Sequence, residues 1–141
     1  MMAGLSLWTI PAMFAAPISA QDRLKIWGEI YNRARPTSML TFLPSALLFG
    51  IASYAVEPLP LEFAVLALCS TLTASVIGFT FAIMLPTIKA LKAEENRLDR
   101  GQPATESSDD LIRTKWIPGH HIRVAIAASG FVLAVSELAF S

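Results

Sequence analysis

The chain has 141 residues, of which 54% are apolar and only 16% charged, against about 25% charged in an ordinary soluble domain. Its 11 Lys+Arg cancel its 11 Asp+Glu, so no net field selects nucleic acid or an acidic partner. A soluble enzyme, a disulfide-stapled secreted domain and a disordered tail are excluded. The one cysteine, Cys69, cannot form an internal disulfide, and a lone thiol builds no metal cage. No zinc spacing, phosphate-cradling glycine loop or nucleophile elbow occurs.

The charges fall into a few short stretches, and the runs between them have membrane-spanning length. Residues 1–20, 36–56 and 63–88 carry no charge, and 124–141 is broken only by Glu137. A helix needs roughly 20 apolar residues to cross a bilayer core. The expectation is an all-α, integral membrane four-helix bundle forming one domain over 1–141, with spans near 1–20, 36–56, 63–88 and 120–141. The first run lacks the basic start and the cleavage site of a signal peptide. It therefore reads as a retained span, bent at Pro11 and Pro17. Its abrupt start at Met1 leaves room for residues upstream.

Every Lys and Arg lies in one of two connections. Arg23, Lys25, Arg33 and Arg35 are in the first, and the other seven fall between Lys89 and Arg123. The connection between spans two and three holds Glu57 and Glu62 and no base. The positive-inside rule places both basic connections in the cytosol and both termini in the lumen. An even span count gives the same answer independently.

The first connection opens with Ser19-x-x-Asp22, an N-cap arrangement. Leu24, Trp27, Ile30 and Tyr31 then recur at helical spacing, which predicts a short amphipathic helix at the cytosolic interface. The second connection begins as a polar extension of span three and stops at Gly101. Residues 102–110, rich in Pro, Ser and acids, read as a flexible cytosolic linker with nothing to bury. Within the spans, Ser70, Ala74, Gly78 and Ala82 form a small-residue stripe. Ala46 with Gly50, and Gly130 with Ala134, repeat the spacing, as close helix packing requires.

Chemistry points to the cytosolic start of span four. In an unbroken helix Trp116, His120 and Arg123 share one face, and His121 turns about 100° away. A break at Pro118-Gly119 would rotate Trp116 out of that phase. Trp27, Tyr31 and Arg35 stand on the first connection, able to face them. Belt anchoring of the tryptophans and snorkelling of Arg123 explain the same residues without any reaction. The adjacent His120 and His121 are the chain's two histidines, and no carboxylate or thiol lies at ligand spacing from them.

Four strings carry a resemblance: Gly4-Leu5-Ser6-Leu7-Trp8-Thr9-Ile10-Pro11-Ala12, Trp27-x-x-x-Tyr31, Phe79-Thr80-x-x-x-Met84-Leu85-Pro86-Thr87, and Trp116-x-x-x-His120-x-x-Arg123. In this order the chain resembles the fungal anthrone oxygenase-like family of four-span membrane proteins, otherwise grouped as a domain of unknown function. The resemblance implies oxidation of a polyketide anthrone, or a similar phenolic aromatic, to a quinone in secondary metabolism. Molecular oxygen is the implied co-substrate, with no cofactor and no metal. It also implies His120 as base and Arg123 as its electrostatic partner. Trp116, Tyr31, Trp27 and His121 would bind the flat substrate. One departure stands out, because the family's Gly-His pair after the Trp-x-x-x-Tyr pattern is replaced here by Asn32-Arg33-Ala34-Arg35.

The expected partners are a hydrophobic aromatic small molecule and the lipid bilayer, with a second copy or pathway enzymes as further candidates and no nucleic acid. The endoplasmic reticulum is the expected membrane, as these residues hold no retention or peroxisomal address. Two rivals remain. One is a non-catalytic tetraspan scaffold for biosynthetic enzymes; the other is a membrane cyclase or isomerase with Glu57, Glu62 or Glu137 as its luminal acid. The topology is testable directly. A protease site placed within 102–110 should be cut in intact, right-side-out microsomes, and protection of that site would invert the orientation.

Overall fold

A computed structural model describes residues 8–55, 60–103, 105 and 107–140. Among them it is all-helical, without strands. The elements are α1 (Ile10–Ala15), α2 (Ala20–Ala55), α3 (Pro60–Phe79), a π turn at Thr80–Met84 and α4 (Leu85–Asp99). After a short loop come α5 (Ser107–Leu111), a second π turn at Ile112–Trp116 and α6 (Ile117–Phe140).

Three of the resulting helical rods are long and apolar enough to cross a membrane: Ala20–Ala55, Glu62–Asp99 and Ser107–Ala139. At 1.5 Å per residue a 36-residue helix such as α2 runs about 54 Å, well beyond a bilayer core of about 30 Å. Each rod therefore has an apolar length and a charged extension, and all three extensions lie at the same end. The helices alternate in direction, with α3 central and both α2 and α6 packed against it.

The expected fourth span is not seen as such. Within 1–20 only the single helical segment α1 is described after residue 9, and it stops before Pro17. Ile10 and Met13 bury against Leu24, Trp27, Met84, Ile88, Leu91, Ile112 and Trp116, a cluster at the charged end of the rods. Nor is a separate interfacial helix seen among the described residues. Its residues are the first turns of α2, which continues through Pro36 and Pro44. The apolar face of that stretch packs on protein, with Leu24 and Trp27 fully buried. The N-cap is as expected: the Asp22 amide donates to Ser19 Oγ at 3.1 Å.

The small-residue stripe packs only at its start. Ser70 Oγ donates to the Ala46 carbonyl at 2.9 Å, and a Cβ on Gly50 would meet Ser70 Oγ at 3.4 Å. On the other side of α3, Cys69 Sγ approaches the Gly130 carbonyl. Ala74, Gly78 and Ala82 are exposed, because no described helix lies on that side.

The described residues of the linker, 102, 103, 105 and 107–110, also make more contacts than its composition suggests. Gly101, at φ 75°, closes α4 with Gly101 N–H on Leu98 O and Gln102 N–H on Arg97 O, the bond pair of a Schellman motif. Thr105 then donates to Glu94 from both its amide (3.1 Å) and its hydroxyl (2.9 Å). Ser108 is buried, and Asp109 holds Arg23 through two guanidinium nitrogens. Arg23 also donates to Ile18 O, so one side chain ties the chain before α2 to α5. Composition had hidden these contacts because it does not show the partners: Arg23 lies 86 positions from Asp109, and Glu94 reaches Thr105 from 11 positions back, on α4.

The bonds from Thr105 hold the Glu94 carboxyl below its usual range. A carboxyl lowered on folding contributes stability that is complete above its unfolded pKa and lost as pH falls through the folded value. Proteolysis after residue 101 should therefore accelerate as pH drops from about 6 to about 3. In Glu94→Gln that acceleration should shrink, and an unchanged profile would show that the clamp does not hold this loop.

Candidate active-site cleft

Because α2 and α6 meet α3 from two sides, a cleft remains between them, floored by α3. It encloses about 110 Å³. From α2 it is lined by Tyr31, Arg35, Ser38 and Phe42, at i, i+4, i+7 and i+11 of one helix face. Val76, Ile77, Thr80, Phe81, Leu85 and Ile88 form the floor, and Trp116, His120 and Arg123 the opposite wall. The polar groups gather toward the charged end of the rods, and the deeper lining is aliphatic and aromatic.

Trp116, His120 and Arg123 keep the shared phase expected of an unbroken helix. Pro118 does not break it. Both π turns end two residues before a proline, Pro86 in one case and Pro118 in the other. A proline ring in a regular helix collides with the carbonyl four residues back. A wider turn just ahead relieves that collision and lets the rod continue. Trp116 consequently stacks on His120, with ring centres 5.1 Å apart and planes within 3°.

The aromatic contacts continue across the mouth. Trp27 meets Trp116 edge-on at 6.0 Å and stacks on Tyr31 at 5.4 Å. Trp27 itself does not line the cleft. It is 1% exposed and lies behind Tyr31, so it supports the wall. Lys92 Nζ lies over the faces of Trp27 and Tyr31, held by Asn32 and Glu95. This approach depends on Gly28: a Cβ there would collide with the Glu95 carboxylate.

His120 is 4% exposed. Arg123 is half-buried, one turn further along, and its Nη1 donates to Met84 Sδ at 3.9 Å. Met84 comes this close because Gly119 offers no side chain, and a Cβ there would meet Met84 Cγ at 3.2 Å. Arg123 Nε and Trp27 Nε1 are buried donors without a hydrogen-bond acceptor among the described residues. A second hollow, of about 340 Å³, lies on the far side of Trp116 beside Met84 and Gly119.

Four of the six predicted site residues thus line one cleft: Tyr31, Trp116, His120 and Arg123. His121 does not join them. It is exposed and lines neither hollow, as the turn of about 100° from His120 dictates. Arg35, which the sequence placed beside Tyr31 as able to face span four, also lines the cleft, and Ser38 and Phe42 are lining residues that site reasoning passed over, although their spacing from Tyr31 marks them. Glu62 and Glu137 are half-buried and away from both hollows, and Glu57 lies outside the described residues. Among the described residues no three His, Cys, Asp or Glu side chains converge as a metal site.

Every cleft-lining residue, from Ile30 to Arg123, falls within residues 27–133, which match the family model described as anthrone oxygenase. The chain belongs to the anthrone oxygenase family. That match covers three of the four resembling strings and leaves out the one at 4–12. No curated protein and no solved structure matches the chain.

Trp27 is the support whose removal should be felt most in this anthrone oxygenase relative. Trp27→Ala should destabilise the protein by about 3–5 kcal/mol, the usual cost of truncating a buried tryptophan. Trp27→Phe should cost clearly less, since it keeps a ring against Tyr31. Unfolding titrations in mixed detergent micelles would measure both.

Proposed function

We propose that the chain is a membrane-bound oxygenase that converts a flat phenolic anthrone, or a close analogue, into the corresponding quinone with molecular oxygen. The observation that carries the reading is the shared cleft: His120 and Arg123 face it one turn apart, between the aromatic walls of Tyr31 and Trp116. The family match supports a related function.

The chemistry asks little of the protein. The methylene between the rings of an anthrone is acidified by the conjugated carbonyl. His120 takes one of its protons, and the electron pair spreads into the rings as an enolate. Arg123 stabilises the oxygen on which that charge collects. An electron-rich enolate passes an electron to O₂, and the resulting radicals join as a hydroperoxide on the former methylene carbon. Loss of water then leaves a carbonyl. One oxygen atom stays in the product, the other departs as water, and the carbon has lost both hydrogens. The stacked Trp116 keeps the imidazole in one orientation, and the aliphatic depth of the cleft excludes water from the enolate. In this reading no metal or flavin takes part, the membrane is that of the endoplasmic reticulum, and the cleft opens toward the cytosolic leaflet.

The reading is tested with membranes, an anthrone and quinone absorbance. His120→Ala should lower turnover by about 10²–10⁴, the usual size of a general-base contribution. His121→Ala should cost far less. Arg123→Ala should be severe, and Arg123→Lys should recover part of the rate, since it returns the charge without the planar fork. Equal turnover in wild type and His120→Ala, at equal protein level, would remove the histidine from the mechanism and favour a scaffold.

A further inference from the structure

The charged lining of the cleft has one sign. Arg35 and Arg123 both face it, and no Asp or Glu does. At this end of the molecule four cations have acids, Arg23 with Asp109, Arg33 with Glu29, Lys92 with Glu95 and Arg97 with Glu94, and the others without one, such as Lys25, Lys89, Arg113 and Lys115, are exposed and do not line this cleft. Neither cleft arginine forms an ion pair among the described residues. Arg123 in addition keeps a buried Nε–H without an acceptor. Arg123, partly taken out of water, lacks the counter-charge that burial of a cation calls for, and exposed Arg35 on the facing wall adds a second positive charge to the same hollow.

We propose that the ligand supplies it, and that the cleft is built for a flat aromatic acid whose carboxylate is held by Arg35. This deepens, and rests on, the reading of the cleft as an aromatic site. Arg35 is on the same α2 face as Tyr31, one turn deeper along the cleft, and its own side chain is exposed. It stands opposite the wall carrying His120 and Arg123. A ligand lying between Tyr31 and Trp116 would turn its reacting edge to that wall and its acidic substituent to α2. Guanidinium suits this task, because its planar pair of N–H donors matches both oxygens of a carboxylate. A lipid phosphate would meet the same charges, but the aromatic walls favour a flat molecule.

Binding separates these cases without turnover. The full chain is placed in nanodiscs of phosphatidylcholine and titrated, by tryptophan fluorescence, with anthracene-2-carboxylate and with the neutral anthracene-2-carboxamide. The acid should bind at least about tenfold more tightly, as expected for a charge-assisted pair. That ratio should fall close to one in Arg35→Gln and be intermediate in Arg35→Lys. Equal binding of the two probes to wild type, or a ratio that survives in Arg35→Gln, would overturn the proposal while leaving the aromatic site standing. If neither probe binds the wild type, the aromatic reading falls as well. Displacement of the acid but not the amide by dihexanoylphosphatidylglycerol would assign the arginines to a lipid headgroup, and would also overturn it.

Discussion

The edge-on contact between Trp27 and Trp116 is the point on which the arrangement turns. Helices α2 and α6 pack on different sides of α3 and have little direct contact of their own. Left to the aliphatic packing of their spans, they would be free to splay. Two large rings meeting at 6.0 Å, buried among Ile10, Met13, Leu24 and Leu91, fix their separation at the charged end. Aromatic pairs of this kind add about 0.5–1.5 kcal/mol to the area they bury. The contact also carries the site: Tyr31 stacks on one member and His120 on the other.

Around that contact the extramembrane parts form a collar. Arg23 joins α2 to α5 and lies over the Phe14 ring, as does Arg113. Glu94 holds Thr105, and Lys92 covers the outer faces of Trp27 and Tyr31. Outside the bilayer, exposed ion pairs contribute little singly. Here they act on short segments whose ordering costs little, and they close the collar over the cluster. The spans below present only apolar and small side chains to one another, apart from bonds such as that from Ser70 to Ala46. The half of the molecule that holds the site is thus also the half with directional contacts.

Much of this was legible from residue spacing. Charge-free runs marked the rods, all 11 Lys and Arg fell at one end, and the i, i+4, i+7 relation of Trp116, His120 and Arg123 foretold the cleft wall. What stayed hidden shares a cause. The ordering of 102–110 rests on Asp109 finding Arg23, 86 positions away, and on Glu94 reaching forward to Thr105. Local composition reports only the absence of a hydrophobic period there. Similarly, the stripe of Leu24, Trp27, Ile30 and Tyr31 predicted an amphipathic helix without saying what covers it; for Leu24 and Trp27 the cover includes α1 and the segment before α6. Arg35 was visible as a face-mate of Tyr31, yet only the placement of α6 opposite makes that face a wall.

The two π turns hold a further meaning, in the currency of insertion and deletion. Each is a helix with one residue more than its length requires, placed directly against the cleft. Deleting a single residue within Thr80–Met84 or Ile112–Trp116 shortens the chain by what a regular helix would not need. Because the wider turn absorbs that residue, its loss returns a regular helix and leaves the faces before and after the turn in phase, whereas one residue lost from a regular stretch rotates everything beyond it by about 100°. In the second turn, α5 with its hold on Arg23 and the His120 face of α6 would therefore keep their relation. Lineages that gain or lose one residue at these places would keep both their rods and the set of side chains that looks into the cleft. The rods thus carry, beside the cleft, the two places where chain length can change by one without re-aiming its walls.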